Sequence, residues 1–240
     1  MNKTLVFDTG PLITLTLNNL LWTIKPLKNA LKGEFKICPA VYQELIKKPL
    51  TTKKYKFEAL QVLPYIMDET LEIYHNNNLS KKADELLELA NKSFIAKDNY
   101  INVVHRGEME AIATALETGA KTLVIDERTT RTLIENPYAL SDHLSKKLHT
   151  NIEINRDNLS QLSKQINGIN VIRSFELGVV AYELGILDRY VIKSEEKLKE
   201  IENIENALLE GVLWAIKLSG CSVAGEDIEK ILKMKSLSHP

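Results

Sequence analysis

The chain has 240 residues, enough to bury a substantial core, and its 44% hydrophobic and 26% charged residues are typical of a soluble protein. A formal net charge of −1 argues against a basic surface that covers the whole molecule and binds nucleic acid without preference. The sequence has no apolar stretch of membrane-spanning length and begins with a predicted strand rather than a signal peptide, so we expect a cytoplasmic protein without a membrane partner. Cys38 and Cys221 lack a CxxC partner and are expected to be packing residues.

The predicted elements, taken in chain order, alternate between strands and helices up to Gly185. Short apolar runs that stop at turn residues predict strands, and longer amphipathic stretches predict helices. This alternation favours an α/β fold of three layers, α/β/α, with a central parallel sheet. Strands are expected at 3–8, 34–38, 62–67, 121–126, 151–155 and 169–172, a loop at 98–106, and helices within 11–32 and at 39–48, 53–62, 69–77, 80–96, 107–119, 127–135, 157–166 and 174–185.

The pattern after Gly185 is helical throughout, with helices expected at 194–218 and 223–236. Leu208 and Val212, at helical spacing, give the first of these helices an apolar face that must pack on another surface. We therefore expect a sheet domain at 1–190 and an appended C-terminal helical hairpin at 191–240.

Two aspartates stand where predicted strands end. Asp8 closes the apolar run 5–7, and Asp126 closes the apolar run 123–125. In an open parallel sheet, ligands gather outside the carboxyl ends of the strands, so two such acids can face one crevice. For either residue alone, a turn-forming role is an equally good reading, because Asp is favoured in turns.

Two glutamates lie on the inward faces of predicted helices. Glu44 borders the apolar stripe of the helix at 39–48, and Glu108 precedes Ile112 by one helical turn on the apolar face of the helix at 107–119. A carboxylate on an inward face is costly unless it is paired or bound to a cation. Carboxylates without a nearby histidine–cysteine set select hard cations, so we expect Mg²⁺ or Mn²⁺.

The four acids stand in motifs that resemble, in content and order, those of the PIN domain nucleases. The motifs are DTGPLI at 8–13, VYQEL at 41–45, GEMEAIATALETGA at 107–120 and LVIDERTTR at 123–131. The segments 176–187 and 208–232 are similar to the last helix and the tail of some prokaryotic members, so the resemblance touches most of the chain. It departs from the family in the long runs between Glu44 and Glu108 and between 131 and 171, which we interpret as insertions.

The resemblance implies a PIN-like nuclease domain that hydrolyses phosphodiesters with a divalent metal, most often in single-stranded RNA. Asp8 is assigned as the central metal ligand, Asp126 and Glu108 as further ligands, and Glu44 as an outer or water-holding ligand. Thr9 is a candidate to bind a ligand or a phosphate, and a turn-stabilising hydroxyl is an equally ordinary role for it. Arg128 and Arg131 are candidates to hold a phosphate, and helix ion pairs are the commoner role for such arginines.

Several alternatives remain open. Some PIN proteins are catalytically silent RNA-binding or scaffold proteins, and a toxin with an antitoxin-like protein partner competes with a processing ribonuclease. Glu127 is a further candidate ligand, whereas Glu110 is expected to face solvent. Nine lysines between 25 and 58 either hold phosphates near Glu44 or form a solvated face. A homodimer is expected because symmetric dimers are the commonest oligomers and the family often pairs.

Overall fold

A five-stranded parallel sheet forms the centre of the protein, which confirms the predicted α/β class. The computed structural model describes residues 3–191 and 204–238. The strands are arranged in the order β3-β2-β1-β6-β8, so the strands that precede Asp8 and Asp126 are neighbours. They are β1 (Lys3–Phe7), β2 (Gly33–Ile37), β3 (Glu72–Ile73), β6 (Thr122–Val124) and β8 (Asn170–Ile172).

Helices flank this sheet. Two 3₁₀ turns, Leu21–Thr23 and Ile186–Tyr190, and a π-helical turn, Gln43–Lys47, complete the helical structure. The α-helices are α1 (Thr9–Leu17), α2 (Ile24–Leu31), α3 (Pro39–Tyr42), α4 (Lys48–Leu50), α5 (Lys56–Met67), α6 (Leu79–Asn91), α7 (Arg106–Thr118), α8 (Arg128–Glu135), α9 (Ala139–Leu148), α10 (Arg156–Ile166), α11 (Ser174–Glu183), α12 (Ile204–Leu218) and α13 (Gly225–Ser238).

The core lies around the central strands. Val6 and Phe7 of β1 are fully buried, as are Phe35 of β2 and Leu123 of β6. The rings of Phe7 and Phe35 pack with centroids 5.1 Å apart and planes tilted by 51°. Because successive side chains of β1 point to opposite faces of the sheet, burial of both residues means that both faces of this strand are covered.

The predictions for 62–77 are wrong. Residues 62–67 belong to α5, and the only strand-like pairing nearby is β3, inside the segment predicted as a helix at 69–77. Ala59 and Val62 are buried one turn apart, so helical packing outweighs the β-propensity of this segment. After α5, Asp68 Oδ1 accepts from the Thr70 amide at 3.0 Å, and this turn directs the chain into β3.

A second sheet, β4 (Phe94–Ala96), β5 (Asn99–Tyr100) and β7 (Glu153–Ile154), is antiparallel and lies outside the central one. The helix predicted at 80–96 therefore ends at Asn91, and the loop predicted at 98–106 contains β5. Lys97 and Asp98 connect β4 to β5 with φ of 48° and 61°. Two central residues with positive φ match the twist of a tight hairpin.

The two predicted insertions pack against each other. Strand β7, from the later insertion, pairs with β4 from the earlier one. Lys82 of α6 donates to Gln165 of α10 at 2.7 Å, and the Asn158 side chain donates to the Lys92 carbonyl at 2.8 Å. Helix α9 follows α8 and was not predicted, because Leu140 and Leu144 are its only buried side chains.

The C-terminal helices pack on the rest of the protein. Leu209, Leu213 and Ile216 of α12 are fully buried. A Cβ atom on Gly178 of α11 would lie 2.8 Å from the Ile216 side chain, so the glycine permits this close approach. The part of the predicted helix at 194–218 before Ile204 lies outside the described residues. Within the described part of the chain, no helix is long and apolar enough to cross a membrane.

Candidate functional site

Asp8 lies at the junction of β1 and α1. Its amide donates to the Val124 carbonyl of β6 at 2.9 Å, which extends the ladder between the two strands by one residue. Its side chain caps α1, and Oδ2 accepts from the Gly10 amide at 3.3 Å. Asp8 therefore lies both at the end of β1 and at the start of α1. This position places its carboxylate at the edge of the sheet where β1 and β6 end.

Burial raises the pKa of Asp8 from 3.8 to about 7, because the charged form loses solvation. The negative charges of Glu108 and Glu44 raise it further, while hydrogen bonds from the Thr9 and Gly10 amides oppose the rise. Glu108 and Glu44 are thus close enough to Asp8 for their charges to disfavour its ionised form.

Asp126 follows β6 and is 4% exposed. Its Oδ1 accepts from the Ser174 amide at 2.8 Å and from the Ser174 hydroxyl at 2.9 Å. Its Oδ2 lies 2.7 Å from the same hydroxyl and accepts from the Thr14 hydroxyl at 3.0 Å. These contacts join the ends of β6 and β8 to α1 and fix the orientation of the carboxylate.

Glu44 lies in the π-helical turn Gln43–Lys47, which interrupts an otherwise α-helical segment. Such turns often occur at functional sites. Its Oε2 accepts from the Thr9 hydroxyl at 2.7 Å, and its Oε1 lies 3.4 Å from where a Cβ atom on Gly107 would be. Thr9 therefore contacts a carboxylate rather than acting only as a turn hydroxyl, and Glu44 reaches the start of α7, next to Glu108.

Glu108 is at the N-terminus of α7. Its Oε2 accepts from the His105 amide at 2.8 Å, which forms half of a capping box. A negative charge in the first turn is also favoured by the helix dipole. Glu108 is half-buried and Glu44 is exposed, so two flexible side chains lie around the buried Asp8.

The four predicted acids are brought to one region of the protein. A Cβ atom on Gly10 would lie 3.6 Å from both the Asp126 Cβ and Asp8 Oδ2, so these aspartates flank the same glycine. In the rotamers of this structure, however, no three His, Cys, Asp or Glu side chains of the described residues are close enough to hold a metal ion. The oxygen donors of these four acids fit Mg²⁺ or Mn²⁺ in chemistry.

The two predicted arginines differ in their surroundings. Arg128 is exposed at the start of α8. Arg131 is half-buried, where Nη1 donates to the Ser222 carbonyl at 3.4 Å and Nε lies 3.9 Å from Glu135. Arg131 therefore takes part in the helix ion pair that was its alternative reading, and it also contacts the segment between α12 and α13.

Glu127 and Glu110, the two other acids considered from the sequence, both cap helices. Glu127 caps α8, where its Oε2 accepts from the Thr130 amide at 2.6 Å. The prediction that Glu110 faces solvent is wrong: Glu110 is 6% exposed, and its Oε1 accepts from the Ala40 amide at 2.8 Å at the start of α3. A capping contact from a distant helix stabilises the buried carboxylate.

Thr14 and Ser174 were missed by the sequence reasoning. Thr14 is a buried polar residue in an apolar helix, and Ser174 lies two residues after β8, at the start of α11. Ser174 could have been predicted from the sequence, because β8 was predicted and a polar residue near the end of that strand is a candidate partner for Asp126.

Comparison of the chain with models of protein families, with curated proteins and with solved structures gave no match.

Proposed function

We propose that this protein is a PIN-like, metal-dependent phosphodiesterase, most specifically an endoribonuclease acting on single-stranded RNA in the cytoplasm. The proposal includes the three-layer PIN-like arrangement and the divalent cation, Mg²⁺ or Mn²⁺. It is supported by the carboxylates at the ends of β1 and β6 and by the sequence motifs around them.

One observation carries the proposal: Asp8 is buried at the ends of β1 and β6 with the Glu44 and Glu108 carboxylates near it, and burial together with those charges raises its pKa to about 7. Ionised Asp8 therefore costs the fold stability unless something offsets its charge. A divalent cation offsets it directly, and the donors offered to it here are all oxygen atoms.

Asp8, Glu44 and Glu108 would hold the cation, with Asp126 beside them. When bound, such a cation lowers the pKa of a coordinated water and offsets charge on a phosphodiester. Neighbouring side chains hold the acids in position. Ser174 and Thr14 fix the Asp126 carboxylate, and Thr9 orients Glu44. Arg128, exposed at the start of α8, is available to a phosphate oxygen.

A second candidate is a catalytically silent RNA-binding or scaffold protein. It is favoured by the hydrogen bonds that the acids already make within the protein and by the separation of the carboxylates in these rotamers. In that case the four acids serve as helix caps and strand-end turns.

A cleavage assay separates the two candidates. Labelled single-stranded RNA is incubated with the protein and Mg²⁺ or Mn²⁺, with and without EDTA, and a duplex DNA of equal length serves as the control substrate. We expect cleavage of the RNA alone, loss of cleavage on chelation, and loss of several powers of ten in rate in Asp8→Asn, Glu108→Gln and Asp126→Asn. Retention of RNA without cleavage at any metal concentration would favour the silent protein.

A further inference from the structure

The segment from Lys47 to Phe57 forms an exposed, basic surface that we call the lysine surface. It connects the π-helical turn that carries Glu44 to the start of α5. Its side chains are exposed and consist of five lysines and two aromatic residues: Lys47, Lys48, Lys53, Lys54, Lys56, Tyr55 and Phe57.

These lysines differ from three of the four other lysines of the basic stretch between 25 and 58; Lys32, at the end of α2, is exposed and forms no ion pair among the described residues. Lys25 is paired with Asp68 at 2.7 Å, Lys28 with Glu72 at 2.9 Å, and Lys36 with Glu72 at 3.1 Å. In the described part of the chain, the five ammonium groups of the lysine surface form no ion pair with a carboxylate. Most of the positive charge between 25 and 36 is therefore neutralised within the fold, whereas the charge of the lysine surface is not.

Both aromatic residues of this surface present part of their rings to solvent, and Phe57 more than Tyr55. Phe57 is 69% exposed and Tyr55 is 39% exposed. Tyr55 adopts a left-handed backbone conformation with φ of 61° immediately before α5, which is unusual for a bulky side chain. The ammonium group of Lys54 lies 4.6 Å from the centre of its ring. A ring beside a cation is the combination that binds a base and its phosphate together.

The lysine surface is continuous with the candidate site. Tyr55 and Glu44 line the same small cavity of about 30 Å³, together with Leu45 and Ala59. Lys47 lies on the same π-helical turn as Glu44, and Glu44 contacts Thr9 beside Asp8. A polyanion bound to these lysines would therefore extend towards the carboxylates.

We propose that the lysine surface binds a single-stranded nucleic acid, with bases stacked on Tyr55 and Phe57 and phosphates held by the lysines. Charge complementarity selects a polyanion, and the exposed rings select one whose bases are accessible, which a duplex does not offer. The direction of the strand towards Glu44 rests on the proposed hydrolytic function, whereas the binding itself does not.

The test measures binding separately from cleavage. Every protein carries Asp8→Asn and is assayed in EDTA, and the dissociation constant for a fluorescent single-stranded oligouridine is measured by anisotropy over a range of salt concentrations. The surface is neutralised by the triple substitution Lys53→Gln, Lys54→Gln and Lys56→Gln. The matched control removes the same charge from exposed lysines elsewhere, by Lys81→Gln, Lys97→Gln and Lys121→Gln.

We expect the surface triple variant to weaken binding and to reduce the slope of log Kd against log salt by about two, at about 0.7 per phosphate contact on a single strand. The control variant should keep the slope of the parent. Equal slopes in the two triple variants would overturn the proposal, because the lost affinity would then reflect net charge alone.

A second pair of variants tests stacking. Tyr55→Phe keeps the ring and should bind like the parent, whereas Tyr55→Ala should weaken binding about tenfold. If poly-glutamate binds as tightly as oligouridine and is insensitive to Tyr55→Ala, the surface serves an acidic protein partner and the nucleic-acid proposal is wrong.

The two proposals fail in different ways. A wild-type protein that cuts no RNA while the variants bind as expected would remove the hydrolytic function and leave the lysine surface in place. Cleavage by wild type, combined with unchanged binding in the surface variants, would remove the lysine surface and leave the hydrolytic function.

Discussion

Replacing Asp8 with asparagine should stabilise the protein in the absence of metal, and by an amount that depends on pH. Asparagine cannot ionise, yet its side-chain oxygen can still accept the Gly10 amide and cap α1. The substitution therefore removes the charge while it keeps the local hydrogen bond, which isolates the electrostatic cost of the buried carboxylate.

The sign of the effect follows from the pKa of Asp8, which is about 7 in the folded protein against an ordinary value of 3.8. The folded state keeps the Asp8 proton up to about pH 7, whereas the unfolded chain releases it near pH 3.8. The free energy of unfolding that this group contributes therefore falls as the pH rises between these values. A pKa difference of this size corresponds to about 4 kcal/mol, reached above pH 7.

Urea denaturation of wild type and Asp8→Asn in EDTA, at intervals from pH 4 to pH 9, measures this difference. We expect the stability advantage of Asp8→Asn to grow with pH by about 4 kcal/mol and then to level off. Asp142→Asn is the matched control, because Asp142 is an exposed acid in the first turn of α9. The difference in the free energy of unfolding between Asp142→Asn and wild type should change by less than about 0.5 kcal/mol over this pH range. Parallel pH profiles for wild type and Asp8→Asn would refute the argument from burial and neighbouring carboxylates.

Three further predictions concern other parts of the structure. Ser174→Ala removes a hydroxyl that donates to buried Asp126 and should lower the free energy of unfolding by about 1–3 kcal/mol. Ser141→Ala, which removes a hydroxyl that donates to the Tyr138 carbonyl at a solvent-exposed position, should lower it by less, and equal losses would contradict the role of Ser174. Burial, together with nearby carboxylates, raises the pKa of the Cys38 and Cys221 thiols to about 12, so Ellman's reagent at pH 8 should label them slowly in the folded protein and rapidly in urea. We expect a homodimer because symmetric dimers are the commonest oligomers, and Leu218, 79% exposed at the end of α12, is the candidate contact; light scattering should show a dimer that Leu218→Glu converts to a monomer, and a monomeric wild type would exclude the dimer.

The sequence predicted the parts of the site that depend on local pattern. Asp8 and Asp126 each follow an apolar run, and the structure confirms that their strands are parallel neighbours. Glu108 and Glu44 were placed by helical periodicity; in the structure Glu44 accepts from Thr9, next to Asp8, and also reaches Gly107, next to Glu108. A strand end and a helical stripe are visible within a few residues, so local patterns suffice to find them.

Contacts between distant segments were beyond the reach of such patterns. Ser174 and Thr14 reach Asp126 from elements far away in the chain, and Glu110 caps a helix that begins at Pro39. The antiparallel sheet was missed for a related reason, because β4 is three residues long and its partner β7 comes from the other insertion. Whether such short segments form strands depends on tertiary packing rather than on local sequence.

The central claim is that Asp8, with Glu44 and Glu108, holds a divalent cation. Calorimetric titration of the metal-free protein with Mn²⁺ tests it most directly, with Asp8→Asn as the comparison and Asp142→Asn as the charge-matched control. We predict one saturable binding event in wild type and in Asp142→Asn, a release of protons below pH 7 as Asp8 ionises, and no binding in Asp8→Asn. Equal Mn²⁺ binding by wild type and Asp8→Asn would contradict the claim.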